Sequence, residues 1–220
     1  MAKVHPLRTL VKVAETKLTE LSSQTYDIAE NLIDDSSYFN VQKQRSLVSS
    51  YCEYYGSMMH TLSSSLSTEA IKFTLKDLEI TYGIDLREDK RNELTTRIEM
   101  RLRETFEGSD IFKRLHRIKV ILRTSLVQLL NGQLSSLKMD FENPAYGWSR
   151  RIMITEMLRA YHYTVQEFAL ITEARQIEVV LYKEHHKVDD VLAPFAGKYK
   201  PDSLPDYPRP MAEYLLKLNY

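Results

Sequence analysis

No proline interrupts the chain between Pro6 and Pro144. Proline lacks the backbone donor that a helix interior or a central strand needs, so a proline-free run of this length permits long helices. Hydrophobic spacing then selects them. Leu7, Val11, Ala14, Leu18, Leu21, Thr25, Ile28 and Leu32 step by alternating fours and threes, a heptad seam. A second seam runs through Val41, Val48, Cys52, Tyr55, Met59, Leu62 and Leu66, with Arg45 in its one missing slot. The turn-prone Asp34-Asp35-Ser36-Ser37 lies between them. Two long helices joined by a short connection predict an antiparallel helical hairpin over 7–66.

Middle helices follow over 68–131. Thr68-Glu69 starts one that carries Ile71, Leu75, Leu78 and Tyr82 on one face, and Gly83 is its C-cap. Asp85 and Glu88 form a capping-box pattern before the next, with Leu94, Ile98, Leu102 and Phe106 inward and the other faces charged. Ile111, Leu115, Ile118, Leu122, Ser125 and Leu129 define another, closed by Asn131-Gly132. Asn143-Pro144 and Gly147 read as a loop. From Ser149, taken as an N-cap, a long helix is expected to reach Lys187. Its part between Ile152 and Ile171 is too apolar for one face of a surface helix and calls for burial on several sides.

After Val188 the character changes. Pro194, Pro201, Pro205, Pro208 and Pro210 mark an extended arm. Met211, Tyr214, Leu215 and Leu218 regain helical spacing at its end. The expected class is all-α: an elongated helical bundle with an antiparallel hairpin, one long central helix, and a Pro-rich arm ending in a short helix. The expected organisation is one helical domain over 1–193 and the arm over 194–220.

Charge narrows the partners. Lys and Arg number 30, as do Asp and Glu, so no global field steers a polyanion or a membrane surface. The distribution is uneven. Between Ile111 and Met139 there is no acid, while Lys113, Arg114, Arg117, Lys119 and Arg123 are present. Such a strip binds phosphates or pairs with acids. The stretch 18–42 is its counterpart, with Glu20, Asp27, Glu30, Asp34 and Asp35 and no Lys or Arg. Overall neutrality favours pairing, within the chain or between subunits, over nucleic acid. Arg150 and Arg151 fall in the first turn expected for the long helix, where cations oppose the dipole and an acidic or phosphate contact would offset them.

Motif chemistry is sparse. Neither a phosphate-cradling glycine loop nor a zinc-protease, nucleophile-elbow or paired-cysteine motif occurs in the sequence. No cofactor is expected. His185, His186, Asp189 and Asp190 are weak metal candidates, spaced by fours at the expected helix end. His162 lies in the apolar run and reads as a core histidine before a base. Cys52, the single cysteine, occupies a seam position and reads as a small buried hydrophobe. It allows no internal disulfide, which suits a reducing compartment. There is no run of 18 apolar residues, hence no expected membrane span, and the start lacks a secretory apolar core.

Tyrosine, at 14 residues, is abundant. Tyr199, Tyr207 and Tyr214, with Met211, Leu215 and Leu218, stud the arm and would suit an interface. The expectation is a non-enzymatic structural or assembly protein. It would be a homo-oligomer or a subunit of a larger particle such as a virion, cytoplasmic or within a cytoplasmically assembled particle, its arm clasping a neighbour. The alternative is a nucleic-acid-binding helical protein using the 113–123 strip. A third reading is a metal-dependent or histidine-based helical enzyme.

Overall fold

The computed structural model describes residues 6–34, 41–108, 110–133, 144–181, 192–208 and 211–220. Five α-helices come first: α1 (Arg8–Asp34), α2 (Val41–Tyr82), α3 (Glu88–Gly108), α4 (Asp110–Leu130) and α5 (Pro144–Ile171). Strands β1 (Gln176–Leu181), β2 (Gly197–Tyr199) and β3 (Tyr214–Asn219) follow, with 3₁₀ turns at Ala193–Phe195 and Pro201–Ser203. The chain is thus mostly helical, with a small antiparallel sheet at its C-terminal end.

Contacts group the chain into two compact units. One is formed by 12–64 and 106–153, the other by 1–11, 65–105 and 154–220. In the first, the seams supply the core: Ala14, Leu18 and Leu21 of α1, Val48, Cys52, Tyr55 and Met59 of α2, and Leu115, Ile118, Leu122 and Leu129 of α4 are buried. The connection expected at 35–37 lies outside the described residues. In the second unit, Ile71, Leu75 and Leu78 of α2 and Leu94, Ile98 and Leu102 of α3 are buried with the C-terminal half of α5.

Four expectations need correction. The helix at 41–66 does not end near Thr68; α2 continues to Tyr82 through the Ser/Thr run. The helix accommodates these hydroxyls in different ways: Thr61 bonds the Ser57 carbonyl of the preceding turn at 3.1 Å, and Thr68 donates to Glu99 of α3 at 3.0 Å. Asp85 is not the cap of α3. The ladder opens at the Arg87 carbonyl, which accepts from the Arg91 amide, and Glu79 takes the Leu86 amide instead.

The long helix begins at Pro144 and stops at Ile171 rather than spanning 149–187. Proline is well placed in a first turn, because its missing N–H would be unpaired there anyway. Ser149 is therefore an interior residue, bonded to the Ala145 carbonyl at 2.8 Å. Burial on several sides holds for most of the 152–171 run: every residue from Ile152 to Gln166 is buried, whereas Leu170 is exposed.

The arm's terminal segment is a strand, not a helix. β3 pairs antiparallel with β1, setting Leu218 opposite Ile177, Leu216 opposite Val179 and Tyr214 opposite Leu181. β2 pairs with the other edge of β1, giving the order β2-β1-β3. Ile177, Val179, Tyr214, Leu216 and Leu218 are buried while their neighbours along the strands are more exposed, the period-2 pattern of a sheet covered on one face. The outer edge of β3 is closed by side chains. Tyr161 of α5 accepts the Leu216 amide at 3.1 Å, and Tyr82 of α2 accepts the Leu218 amide at 2.8 Å. An edge so occupied is a poor template for another strand.

Candidate functional site

A buried polar cluster lies along α5 in the second unit. Positions 156, 159, 162, 163 and 166 recur at helical spacing on α5. Glu156 and Arg159 form an ion pair at 2.7 Å, with both side chains almost fully buried. Burial works against the Arg159 charge, but Glu156 and the Tyr163 hydroxyl outweigh it and hold the guanidinium above its usual range. Arg101 of α3 lies over the Tyr163 ring at 4.2 Å and donates to Gln166 at 2.8 Å and to Asp206 at 3.1 Å. Gln166 in turn donates to the Pro201 carbonyl at 3.0 Å. These contacts tie α5 and α3 to the C-terminal segment.

His162 is the centre of this network. Its ring is wholly buried, and the Tyr214 hydroxyl lies 2.7 Å from Nδ1. Tyr163, Phe195, Tyr207 and Tyr214 surround it, with ring centroids 5.4 to 6.2 Å away. Burial pushes its pKa down to about 3, and the Arg101 charge adds to this. Asp206 and the Pro205 backbone oppose it, while Arg159 reinforces it. The ring is neutral at ordinary pH. Burial also pushes the Tyr214 hydroxyl far up, so Tyr214 keeps its proton, and it donates to Nδ1 in the tautomer that carries the ring proton on Nε2. Nε2 itself makes no hydrogen bond of regular geometry.

A general base must reach a proton on its substrate. His162 has its accepting nitrogen engaged and its ring covered by four aromatic rings. Chemically it fits the role of a latch joining α5 to residues 195–214, the core-histidine reading of the sequence. Sequence reasoning missed its neighbours Glu156, Arg159, Gln166 and Arg101. The readable signal was an acid and a base three apart inside an otherwise apolar run.

The basic strip lies in the first unit. On α4, Lys113, His116, Arg117 and Arg123 are exposed, as are Val120 and Val127. The Arg114 side chain lies outside the described residues. Lys119 is half-buried, bonded to the exposed Glu53 of α2, and its chain passes over Gly56, where a Cβ would displace it. Gly56 thus marks a close approach of the Lys119 side chain to α2. Arg117 stacks over the Trp148 ring at 4.7 Å, with Arg151 at 5.7 Å from the same ring. Arg150 reaches Glu15 of α1 at 2.6 Å. Because α5 starts at Pro144, neither arginine lies in its first turn, and the dipole argument for a contact there falls away. Glu20 and Asp27 of α1 are exposed.

The remaining candidates divide between the core and undescribed segments. Cys52 is buried, and burial pushes its thiol up to about 11, with Arg123 opposing, Glu53 adding and Lys119 opposing. It is a packing residue in its thiol form. The arm residues pack within their own unit: Tyr199 donates to the Phe195 carbonyl at 3.0 Å and Tyr207 to the Ala212 carbonyl at 3.1 Å. Tyr214 and Leu218 are buried, and Met211 and Leu215 are half-buried. His185, His186, Asp189 and Asp190 lie outside the described residues. Among the described residues no group of three or more His, Cys, Asp or Glu side chains is placed to hold a metal. No described helix is long and apolar enough to cross a membrane. Comparison with known protein families, curated proteins and solved structures finds no match.

Proposed function

We propose that the chain is a non-enzymatic structural or assembly protein, a helical subunit of a larger multi-subunit particle. The carrying observation is the outer face of α4, where His116, Arg117 and Arg123 flank exposed Val120 and Val127 with no acid between Asp110 and Leu130. A solvated helix face ordinarily mixes both signs of charge. One sign interleaved with apolar side chains favours contact with an acidic protein surface. The arm's apolar residues are used within its own unit, so helix faces rather than the arm become the contact surface. The test is native mass by light scattering together with what co-purifies. A multimer or a stoichiometric protein complex is expected. A monomer at every concentration with no bound protein overturns the proposal.

One observation favours a second reading. Arg117 and Arg151 flank the Trp148 ring, and arginines around an aromatic ring also suit a nucleic acid. That reading requires affinity for nucleic acid that falls steeply with salt and with Arg117→Glu. Lack of retention on heparin at low salt sinks it. The two valines argue for the first reading, since a phosphate backbone offers them nothing to bury against.

A further inference from the structure

We infer that the exposed basic face of α4 docks against the exposed acidic face of α1 from a second copy of this chain. The inference rests on the assembly reading and names its partner. On α4, Lys113, Val120 and Val127 repeat every seven residues, with His116, Arg117, Arg123 and Thr124 beside them, all exposed. On α1, Val13, Glu20 and Asp27 repeat with the same period and are exposed, with Thr16, half-buried Lys17, Ser23 and Gln24 beside them. Seven residues return a helix to nearly the same face, so each set is one stripe about 21 Å long. Both stripes belong to the same compact unit. Within the chain, Lys119 and Arg150 take their acids from Glu53 and Glu15, whereas Glu20 and Asp27 remain exposed.

Register chooses the direction. An antiparallel pairing sets Val13 against Val127, Glu20 against Val120 between Arg117 and Arg123, and Asp27 against Lys113 and His116. Lys12 then falls beside Gln128, past the last basic residue, and Lys17, the one cation set opposite Arg123, is half-buried and already engaged within the chain. A parallel pairing keeps Glu20 against Val120 but sets Val13 against Lys113, Lys17 against Arg117 and Asp27 against Val127, losing the valine contact and the Asp27 ion pair. Arg117 suits the role despite its contact with the Trp148 ring, because its side chain is exposed and a guanidinium carries five N–H donors. A contact of this kind is short and largely electrostatic, so it weakens with salt.

The experiment uses the full chain and charge reversal. Variant one carries Arg117→Glu and Arg123→Glu; variant two carries Glu20→Lys and Asp27→Lys. A milder Arg123→Glu alone leaves the Trp148 stack intact, and circular dichroism checks the fold of each. Sedimentation of the wild type at low salt should give a multiple of 25.8 kDa that falls toward the monomer at high salt. Each double variant alone should associate at least about tenfold more weakly. Mixing the two should restore association, since each copy then meets the opposite sign at both faces, whether the assembly is a closed pair or a head-to-tail array. A wild type that associates equally well after either reversal overturns this inference and leaves the assembly reading in place. A wild type that is monomeric and carries no partner overturns both. Bound nucleic acid lost in variant one but kept in variant two also overturns the inference, identifying a polyanion as the occupant.

Discussion

Acidification should loosen the molecule through His162, and the size of the effect follows from its surroundings. The ring is neutral in the fold, with a pKa of about 3, against 6.5 in an unfolded chain. Its folded value is depressed, so the unfolded state binds the proton more readily. Stability is therefore complete above pH 6.5 and is lost as pH falls from there toward 3. At pH 5 the unfolded ring is almost fully charged and the folded ring is not. The difference amounts to about 2 kcal/mol relative to pH 8, rising toward about 5 kcal/mol below pH 3. The cause is local: burial of the ring comes first, the Arg101 and Arg159 charges add to it, and the Asp206 carboxylate and the Pro205 backbone oppose it. Denaturant titrations at pH 8 and pH 5 measure the loss. Other groups titrate too, so the comparison is with His162→Asn, whose carbonyl can still accept from Tyr214. The wild type should lose about 2 kcal/mol more than this variant between the two pH values. Equal losses would refute the buried neutral ring as the source.

Two further perturbations follow from the same unit. Glu156→Gln leaves Arg159 charged and buried without its partner, and should cost about 3–5 kcal/mol. Replacing both with Glu156→Gln and Arg159→Met should recover much of that, as read by thermal unfolding. Tyr161→Phe and Tyr82→Phe each remove the acceptor of one β3 amide, at about 1–2 kcal/mol. Amide exchange should speed up first at Leu216 and Leu218 respectively, ahead of the amides that bond β1.

The helices were legible because their signals are local. Leu94, Ile98 and Leu102 of α3 repeat at helical spacing, and so do Leu115, Ile118, Leu122 and Leu129 of α4, and all are buried. Gly83 and Gly132 announced the ends of α2 and α4, and both adopt left-handed backbone, with φ of 65° and 68°. Bonds from Ile84 to the Glu79 carbonyl and from Gln133 to the Gln128 carbonyl close these caps. The sheet was harder to see. Gln176-Ile-Glu-Val-Val-Leu alternates like a strand, but its apolar residues also continue the spacing of α5. Tyr214, Leu216 and Leu218 alternate too, yet β3 finds its partner across more than thirty residues, a pairing no local pattern announces. The α4 strip was legible as charge. Its exposure, and the pairing of Lys119 with Glu53, came only from packing.

The missed end of α5 has a single physical origin. The Ala174 amide bonds the Ala169 carbonyl at 3.0 Å, the same closure as at Gly83 and Gly132, but the residue at the left-handed position is Glu173, with φ of 55°. A β-carbon there approaches the following carbonyl, at about 1–2 kcal/mol, so glycine is the usual occupant. The fold tolerates the strain because the amide of Arg175, two residues on, is already fixed by the Asn219 carbonyl of β3 at 2.8 Å. The helix stops because the sheet begins, not because a breaker tells it to. Glu173→Gly should therefore stabilise the protein. Relief of the left-handed strain exceeds the added flexibility of the unfolded chain by several tenths of a kcal/mol, a rise in Tm of about 1–3 °C at this size. Glu173→Val should lower Tm instead, because a β-branched residue is the least tolerant of positive φ. At an exposed helical position glycine would be the more harmful of the two. A Tm series with glycine below valine would place residue 173 in ordinary helical backbone and refute the cap.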